Sequence, residues 1–502
     1  MSPDIHYFDR SAGVLLPVTS LPSPYGVGSF GKTARRWVDF LQKAGQSYWQ
    51  ILPLSPTDES GSPYQSVSAF AGAGYYIDLD TLCDEGLLDR EECLNVGWGS
   101  SEKYVDHDTI NSLREPVLRK AFSRFSEQAL LDEYVSRRRW VEDYALFSSI
   151  RAARGNRPWV EWEEDLRERK PDTLHETKKA LSEDVGYHCF VQYQFDKQWR
   201  ALLSYANSRG VQIIGDIPIY VSLDSADVWA HPGLFRLSGD YLPDEVAGYP
   251  PDALSDYGQL WGNPLYDWEA MAKTGYEWWI ERLRCGFGNY NVIRLDHFRG
   301  FESYYAIPYG SIPAEGQWRQ GPGKAFISAI NRALPNARFI AEDLGAPSDA
   351  VDELLEYSTY PGMKVLQFAF DPFGDRENRP YKYKPNTVVY PGTHDNDTAK
   401  GWGDNTRGLY IEHAMEYMNI RDLSDLPRGM IRTAMQSGAD LAIIPIQDWL
   451  GLDNTARINI PSTVGGNNWR WRLDKDALSG SLAEDMAKMT TVYDRDRRDN
   501  YK

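Results

Sequence analysis

The sequence repeats one pattern along most of its length, a short apolar segment that ends in polar residues. Gly13–Val18 and Ser47–Leu54 have this form, and residues 34–41 between them carry the apolar spacing of a helix face. Strand, helix and strand at this spacing predict a right-handed β-α-β unit with parallel strands. Six further segments follow the same pattern, at residues 211–219, 291–296, 338–342, 364–369, 387–390 and 440–445. Eight such strands predict an α/β protein with a closed (β/α)8 TIM barrel.

Two long gaps between the predicted strands indicate insertions. Residues 80–205 are mostly helical by pattern and predict a helical subdomain after strand two. Residues 222–275 are rich in Pro, Gly, Asp and Tyr, and predict a loop subdomain after strand three rather than packed elements. We expect one catalytic domain over residues 1–502, without a separate C-terminal β-domain. A doubly wound open sheet is the alternative, but no Gly-x-Gly-x-x-Gly follows the first strand.

Composition narrows the possible partners and compartments. The 502 residues carry a net charge of −18, which disfavours nucleic acid and anionic membranes as partners. The N-terminus has neither a basic nor an apolar signal region, and no apolar run approaches the roughly 18 residues of a membrane span. The four cysteines have no metal-ligand spacing. These features predict a cytoplasmic protein with reduced thiols.

Charged residues gather at the ends of four predicted strands. Asp216 ends strand three, Arg294 and Asp296 end strand four, Glu342 ends strand five, and residues 392–397 follow strand seven. In a closed barrel these ends face one pocket. Any one of them alone is better explained as structural than as catalytic. Four on one rim favour a catalytic site.

Three carboxylates in one pocket are expected to differ in protonation. Arg294 lies two residues from Asp296, on the same side of the strand, and should depress its pKa and keep it charged as a nucleophile. Glu342 follows apolar residues, so burial should raise its pKa and make it a proton donor. Asp395, between His394 and Asn396, would hold sugar hydroxyls. A charged nucleophile paired with a protonated acid is typical of a retaining glycosidase.

The motifs around these residues resemble those of a known family, the amylomaltases. These are bacterial 4-α-glucanotransferases of glycoside hydrolase family 77, within the α-amylase clan. The stretches that carry the resemblance are Arg294–Gly300, Ala341–Gly345, Gly392–Asn396, Gly215–Val221, Ser62–Gly72 and Leu260–Tyr266. The resemblance extends from about residue 10 to about residue 475.

The resemblance implies a role for each candidate site residue. Asp296 would be the nucleophile, Glu342 the general acid/base and Asp395 the transition-state stabiliser. The reacting glucose would be held by Tyr64, Asp216, Arg294 and His394, with Tyr64 stacking on it, and Trp261 and the loop Gly248–Gly258 would border the acceptor. Such enzymes transfer a segment of α-1,4-glucan or malto-oligosaccharide to a 4-hydroxyl of glucose or another glucan. They need no metal and no organic cofactor.

Two departures from the family pattern affect expected contacts. Ala71–Gly74 lacks an Asn that the family places there, and Ala253 and Leu254 stand where family members often carry aromatic residues. The three carboxylates serve hydrolysis and transfer equally, so an α-1,4-glucan hydrolase remains the alternative function. A long 222–275 insertion that covers the pocket would exclude water and favour transfer. A non-catalytic glucan-binding protein would require the loss of a catalytic carboxylate, and all three are present.

Overall fold

A closed barrel of eight parallel strands forms the centre of the protein. The structure is a computed structural model that describes residues 7–58, 61–99, 101–251, 257–374 and 376–496, except for the side chain of residue 377. The departure at Ala253 and Leu254 therefore lies outside the described residues. All eight predicted strands are present, which confirms the predicted (β/α)8 barrel.

The described residues contain twelve strands and nineteen α-helices. The strands are β1 Ser11–Leu15, β2 Tyr48–Gln50, β3 Gln212–Ile217, β4 Glu245–Tyr249, β5 Gln259–Pro264, β6 Val292–Leu295, β7 Ser303–Pro308, β8 Gln317–Gln320, β9 Phe339–Ala341, β10 Gly362–Val365, β11 Thr387–Tyr390 and β12 Leu441–Pro445. The helices are α1 Lys32–Lys43, α2 Leu79–Asp84, α3 Arg90–Leu94, α4 His107–Arg124, α5 Gln128–Ser136, α6 Arg139–Ala153, α7 Glu164–Arg167, α8 Pro171–Ala180, α9 Ser182–Ser208, α10 Ala226–Ala230, α11 Trp268–Lys273, α12 Glu277–Asn289, α13 Gly323–Ala333, α14 Asp349–Ser358, α15 Ala399–Asn405, α16 Leu409–Met418, α17 Leu426–Gln436, α18 Ile446–Trp449 and α19 Gly480–Val492.

The barrel strands run in the order β1, β2, β3, β6, β9, β10, β11 and β12, and β12 pairs with β1 to close the ring. Alternation along each strand separates two apolar layers. On β6, Val292 packs with the buried side chains inside the barrel, whereas Ile293 and Leu295 pack with the layer that contains the helices. By the same alternation Arg294 points inward, one layer above Val292, at the C-terminal end of the barrel.

Residues 222–275 differ from the sequence prediction of a loop region. They contain β4, β5, α10 and α11, and β4 pairs antiparallel with both β5 and β7. With β8, which pairs with β7, these strands form a second, four-stranded sheet in the order β5-β4-β7-β8. The loop prediction was therefore wrong in this respect. Strands β7 and β8 of this second sheet lie in the connection between β6 and β9, and the sequence did not predict them.

Residues 79–208 contain α2 to α9, a run of helices without an assigned strand in the described part. The long helix α9 contacts α6, α1 and β3, so it joins this helical region to the barrel wall. The described residues after β12 contain helices and turns but no strand longer than an isolated bridge. None of the described helices has the length and apolar character needed to cross a membrane. The organisation of residues 1–502 as one catalytic domain stays a prediction.

Candidate active site

A buried ion-pair network links the ends of β3 and β6. The Arg294 guanidinium donates from Nη1 to both oxygens of Asp216 at 2.8 Å and to Oδ1 of Asp296 at 2.9 Å. Arg294 and Asp216 are almost fully buried, and such charges are tolerated only when they are paired. Burial alone would lower the pKa of Arg294, but the charges of Asp216 and Asp296 outweigh it and raise the pKa well above its usual range.

Tyr64 brings the loop after β2 into the same network. Its hydroxyl donates to Oδ2 of Asp216 at 2.6 Å and lies 3.0 Å from Nε2 of His394. Its ring is stacked against the His394 ring, with centroids 5.4 Å apart, and is tilted against Trp469 at 5.7 Å. Burial, followed by the charge of Asp216, raises the pKa of Tyr64 well above 10.0, so the phenol stays protonated as a donor. Trp469 therefore packs against site residues.

Asp296 is held at the pocket with 23 % of its side chain exposed. The sequence predicted that Arg294 would depress its pKa; Arg294 does act in that direction, but the net shift is the opposite. Burial raises the pKa of Asp296 to about 6, because it outweighs the charge of Arg294, and the charges of Asp216 and Asp395 act in the same direction as burial. A carboxyl with this pKa is still mostly ionised at neutral pH, so Asp296 keeps the charge that the predicted role as nucleophile requires.

Glu342, directly after β9, is buried and held by two backbone donors. The His297 N–H donates to Oε2 at 2.8 Å and the Leu344 N–H donates to Oε1 at 2.9 Å. Burial raises the pKa of Glu342 to about 8, the direction that the sequence predicted, although Arg294 and the His297 N–H act against it. Glu342 therefore carries a proton at neutral pH.

Asp395 has the opposite character, with side-chain donors around a more open carboxylate. His394 Nε2 lies 3.2 Å from Oδ2, and the Asn459 side chain donates to Oδ1 at 2.6 Å. Burial alone would raise the pKa of Asp395, but His394, Asn459 and Arg294 together outweigh it and lower the pKa to about 2. Asp395 is ionised under all ordinary conditions.

The loop after β12 holds Asp395 in place, and the sequence analysis did not find its contribution. Arg457 donates to the backbone oxygen of Asp395 at 2.6 Å and forms an ion pair with Asp397. The Asn459 N–H donates to the backbone oxygen of His394 at 3.1 Å. The sequence offered one indication of this contact. The polar residues Arg457 and Asn459 follow the last barrel strand, whose end lies at the rim of the barrel.

Trp261, on β5, lies beside the pocket and not within the carboxylate network. Its ring packs edge to face against His297, with centroids 4.9 Å apart, and its backbone oxygen accepts from Gln65 at 3.0 Å.

The departure at Ala71–Gly74 lies in a buried segment. There Gln192 of α9 exchanges two hydrogen bonds with the backbone of Gly72, at 2.8 and 2.9 Å.

The structure thus brings Tyr64, Asp216, Arg294, Asp296, His394 and Asp395 into one contact network. Glu342 joins it through the charges of Arg294 and Asp296, which act on its pKa. Besides Asp216, which pairs with Arg294, the network contains a protonated carboxyl, Glu342, an ionised carboxylate of moderately raised pKa, Asp296, and a carboxylate that is ionised throughout, Asp395. This combination suits an acid, a nucleophile and an electrostatic stabiliser for glycosyl chemistry.

Comparisons with known proteins identify the family of this chain. The family model described as 4-alpha-glucanotransferase matches residues 16–478. A 4-alpha-glucanotransferase of Streptococcus pneumoniae is 44 % identical over 497 residues, covering 97 % of each chain. One from Thermus thermophilus is 42 % identical, covering 96 % of this chain and 99 % of its own. An amylomaltase from Streptococcus agalactiae, solved in complex with acarbose, superposes with a TM-score of 0.95 at 38 % identity, covering 97 % of this chain and 100 % of that one. The chain therefore belongs to the 4-α-glucanotransferase family and is a glucanotransferase.

Proposed function

We propose that the protein transfers a segment of an α-1,4-glucan to the 4-hydroxyl of glucose or another α-1,4-glucan, by a retaining double displacement. The observation that supports the double displacement is the difference in pKa between Glu342 and Asp296, and membership of the 4-α-glucanotransferase family supports transfer rather than hydrolysis. A protonated acid and an ionised nucleophile are both needed at the same pH, and the pKa values of about 8 and about 6 satisfy that need.

In the first step, a carboxylate oxygen of Asp296 attacks the anomeric carbon of the donor glucan. The bond from that carbon to the glycosidic oxygen breaks, and Glu342 gives its proton to the leaving oxygen. The product is a glycosyl ester on Asp296. In the second step, the 4-hydroxyl of the acceptor attacks the same carbon, its proton passes to Glu342, and the ester bond breaks.

The remaining site residues bind and stabilise the reacting sugar. We assign Asp395 to the hydroxyls of the distorted ring and to the positive charge that develops in the transition state. Tyr64 would stack on the ring, and Asp216, Arg294 and His394 would bind its hydroxyls and keep the carboxylates in place. Trp261 would border the acceptor side.

The substrate and the compartment are each proposed from a separate observation. The amylomaltase that this chain resembles was solved with acarbose, an observation that supports an oligosaccharide in the pocket. We propose α-1,4-glucans and malto-oligosaccharides as donors, and glucose or another glucan as acceptor. A cytoplasmic location is part of the proposal, because all four cysteines are unpaired, as is typical of proteins in a reducing compartment.

Product analysis on maltotriose tests the transfer reaction. The expected products are glucose and a ladder of longer oligomers. Shorter sugars alone would instead establish the alternative, an α-1,4-glucan hydrolase. Asp296→Asn should abolish both outcomes, and mass spectrometry of the Glu342→Gln variant with a slowly transferred glycosyl fluoride should find the sugar on the Asp296 peptide. A label on another carboxylate would show that the nucleophile is assigned wrongly.

A further inference from the structure

The orientation of Glu342 depends on two short backbone segments. Its oxygens accept from the N–H groups of His297 and Leu344, at 2.8 and 2.9 Å. His297 begins the connection after β6, and Leu344 lies in the loop after β9. A displacement of either segment moves a hydrogen bond of the carboxyl, so whatever holds these segments also holds Glu342.

Tyr249, at the end of β4, holds the second of these segments. The Ala346 N–H donates to the Tyr249 hydroxyl at 3.0 Å, and Arg299 donates to the backbone oxygen of Ala346 at 2.6 Å. Both backbone polar groups of Ala346 are therefore held. A side chain at Gly345, where φ is +121°, would place its Cβ 2.7 Å from the Tyr249 hydroxyl. Glycine is required there because the backbone approaches the phenol so closely.

Tyr249 also contacts the first segment. The His297 backbone is left-handed, with φ of 48°, a conformation that is costly for a residue other than glycine and needs support from its surroundings. Two aromatic rings pack edge to face on the His297 ring, Trp261 with centroids 4.9 Å apart and Tyr249 at 6.0 Å. Tyr249 is thus the residue of the second sheet that touches both segments.

The second sheet places these groups as one unit. Tyr249 pairs with Gln259 across β4 and β5, close to Trp261. On the other side, Trp318 of β8 packs edge to face on Tyr249 at 5.8 Å, and the Arg299 guanidinium lies over the Trp318 ring at 4.3 Å. The groups that hold Ala346 and His297 are therefore braced against each other.

We propose that Tyr249 is a positioning residue for the acid/base Glu342, and that through it the second sheet favours transfer over hydrolysis. This inference rests on the role of Glu342 in the proposed function. A water molecule is small and mobile, and it can approach a displaced base from many directions. A sugar hydroxyl is fixed by the rest of its acceptor molecule, so it reacts only if the base is accurately placed. Loosening Glu342 should therefore slow transfer more than hydrolysis.

The test compares Tyr249→Phe with Tyr305→Phe. Tyr305 lies in the same sheet, on β7, contacts the same Trp318, and donates its hydroxyl to the backbone oxygen of Pro313 at 2.9 Å. Both variants lose one phenolic hydroxyl with a backbone partner, but only Tyr249 contacts Ala346. Transfer and hydrolysis are measured together on maltotriose, as longer oligomers formed and as total reducing ends released. Their ratio is independent of the fraction of active enzyme.

Tyr249→Phe should reduce the transfer rate about three- to tenfold, the amount that one hydrogen bond supplies, with a smaller loss in hydrolysis. The ratio should therefore fall in this variant and stay at the parent value in Tyr305→Phe. An unchanged ratio in Tyr249→Phe, or an equal fall in both variants, would overturn the inference.

A parallel measurement on Glu342→Gln separates this inference from the proposed function. If that variant keeps the parent activity, the assignment of the acid/base is wrong and the proposed function fails. If it is inactive while Tyr249→Phe keeps the parent ratio, only the positioning role fails.

Discussion

Glu342 and Asp395 are carboxyl groups of one pocket, and their surroundings shift their pKa values in opposite directions. Glu342 is buried and receives hydrogen bonds from two backbone N–H groups, and its pKa rises to about 8. Asp395 is 40 % exposed at the side chain and receives side-chain donors from His394 and Asn459, and its pKa falls to about 2. Position on the rim of a barrel therefore does not decide the charge of a carboxyl.

The difference between Glu342 and Asp395 shows what decides the charge of each carboxyl. Burial acts in the same direction on both groups, since it raises both pKa values. Only at Asp395 do nearby donors and charges outweigh burial. Asn459, in the loop after β12, donates a side-chain hydrogen bond to Asp395. Among the described residues, only backbone N–H groups donate to Glu342. Contacts that form only in the folded chain therefore leave Glu342 as the carboxyl that is protonated at neutral pH.

The largest expected effect is on activity at the buried side of this pair. Glu342→Gln removes the transferable proton but keeps the size of the side chain, and should lower kcat for transfer about 10²- to 10⁴-fold. The measurement is initial-rate glucose release from maltotriose. Asp343→Asn is the matched control, because its carboxylate accepts from the Met363 N–H at 2.7 Å and Asn keeps an acceptor. A comparable loss in both variants would contradict a specific role for Glu342.

Removal of a donor at the open side should cost less. Asn459→Ala deletes the 2.6 Å hydrogen bond to Asp395, and should lower kcat about ten- to a hundredfold, as expected for a hydrogen bond to a charged group. Because the bond stabilises the ionised form, its loss raises the pKa of Asp395, but Asp395 should stay ionised at the pH of the assay, and the acidic limb of the pH–rate profile should stay where Asp296, with a pKa of about 6, sets it. Asn467→Ala, an exposed position of the same loop, should change neither quantity.

The same contrast predicts opposite effects of pH on stability. The folded pKa of Glu342 lies above its ordinary value of 4.5, so between pH 4.5 and about 8 the folded state binds a proton that the unfolded state lacks. The contribution of Glu342 to the free energy of unfolding is therefore complete below pH 4.5 and is lost as the pH rises through 8. Glu342→Gln should gain stability relative to the parent as the pH rises over this window. Urea unfolding at pH 5, 7 and 9 would reveal it, and a constant difference would contradict the raised pKa.

The smallest effect is expected at Asp395. Its folded pKa lies below the ordinary value of 3.8, so its contribution is present above pH 3.8 and is lost as the pH falls towards 2. The side chain is 40 % exposed and solvent screens its charge, so Asp395→Asn should lower the free energy of unfolding at pH 7 by at most about 1 kcal/mol. Thermal unfolding between pH 3 and 7 should show this difference narrowing below pH 3.8. A growing difference at acidic pH would reverse the assignment.

The barrel could be predicted from the sequence because its strands are buried on both faces. Such strands must be continuous apolar runs, as β12 is at Leu441–Pro445, and such runs stand out without a structure. The second sheet could not be predicted in this way. Its β8, Gln317–Gln320, is largely exposed and polar, and β5 alternates between exposed and half-buried positions. Neither has the apolar run or the composition that marks a buried strand.

The site shows the same division between local and distant contacts. Asp216, Asp296 and Glu342 were identifiable because each ends an apolar strand, and a barrel directs such ends to one rim. Asn459 and Tyr249 were missed because their partners, Asp395 and Ala346, lie far away in the sequence and no local pattern records the pairing. The direction of the pKa shift at Asp296 was missed for a related reason. Arg294 is close in sequence, whereas burial, the largest cause of the shift, and the negative charges of Asp216 and Asp395 arise only in the folded chain.

By itself, the sequence determined that this chain forms a (β/α)8 barrel and which three carboxyl groups lie at its rim, because strand burial and strand ends are local properties. The sequence also predicted that Glu342 carries the proton, but only the tertiary structure decided the size of that pKa shift and the direction of the shifts at Asp296 and Asp395. A pKa depends on burial and on charges brought together from several strands and loops, and these exist only once the barrel has closed and the second sheet and the loop after β12 have packed against its rim.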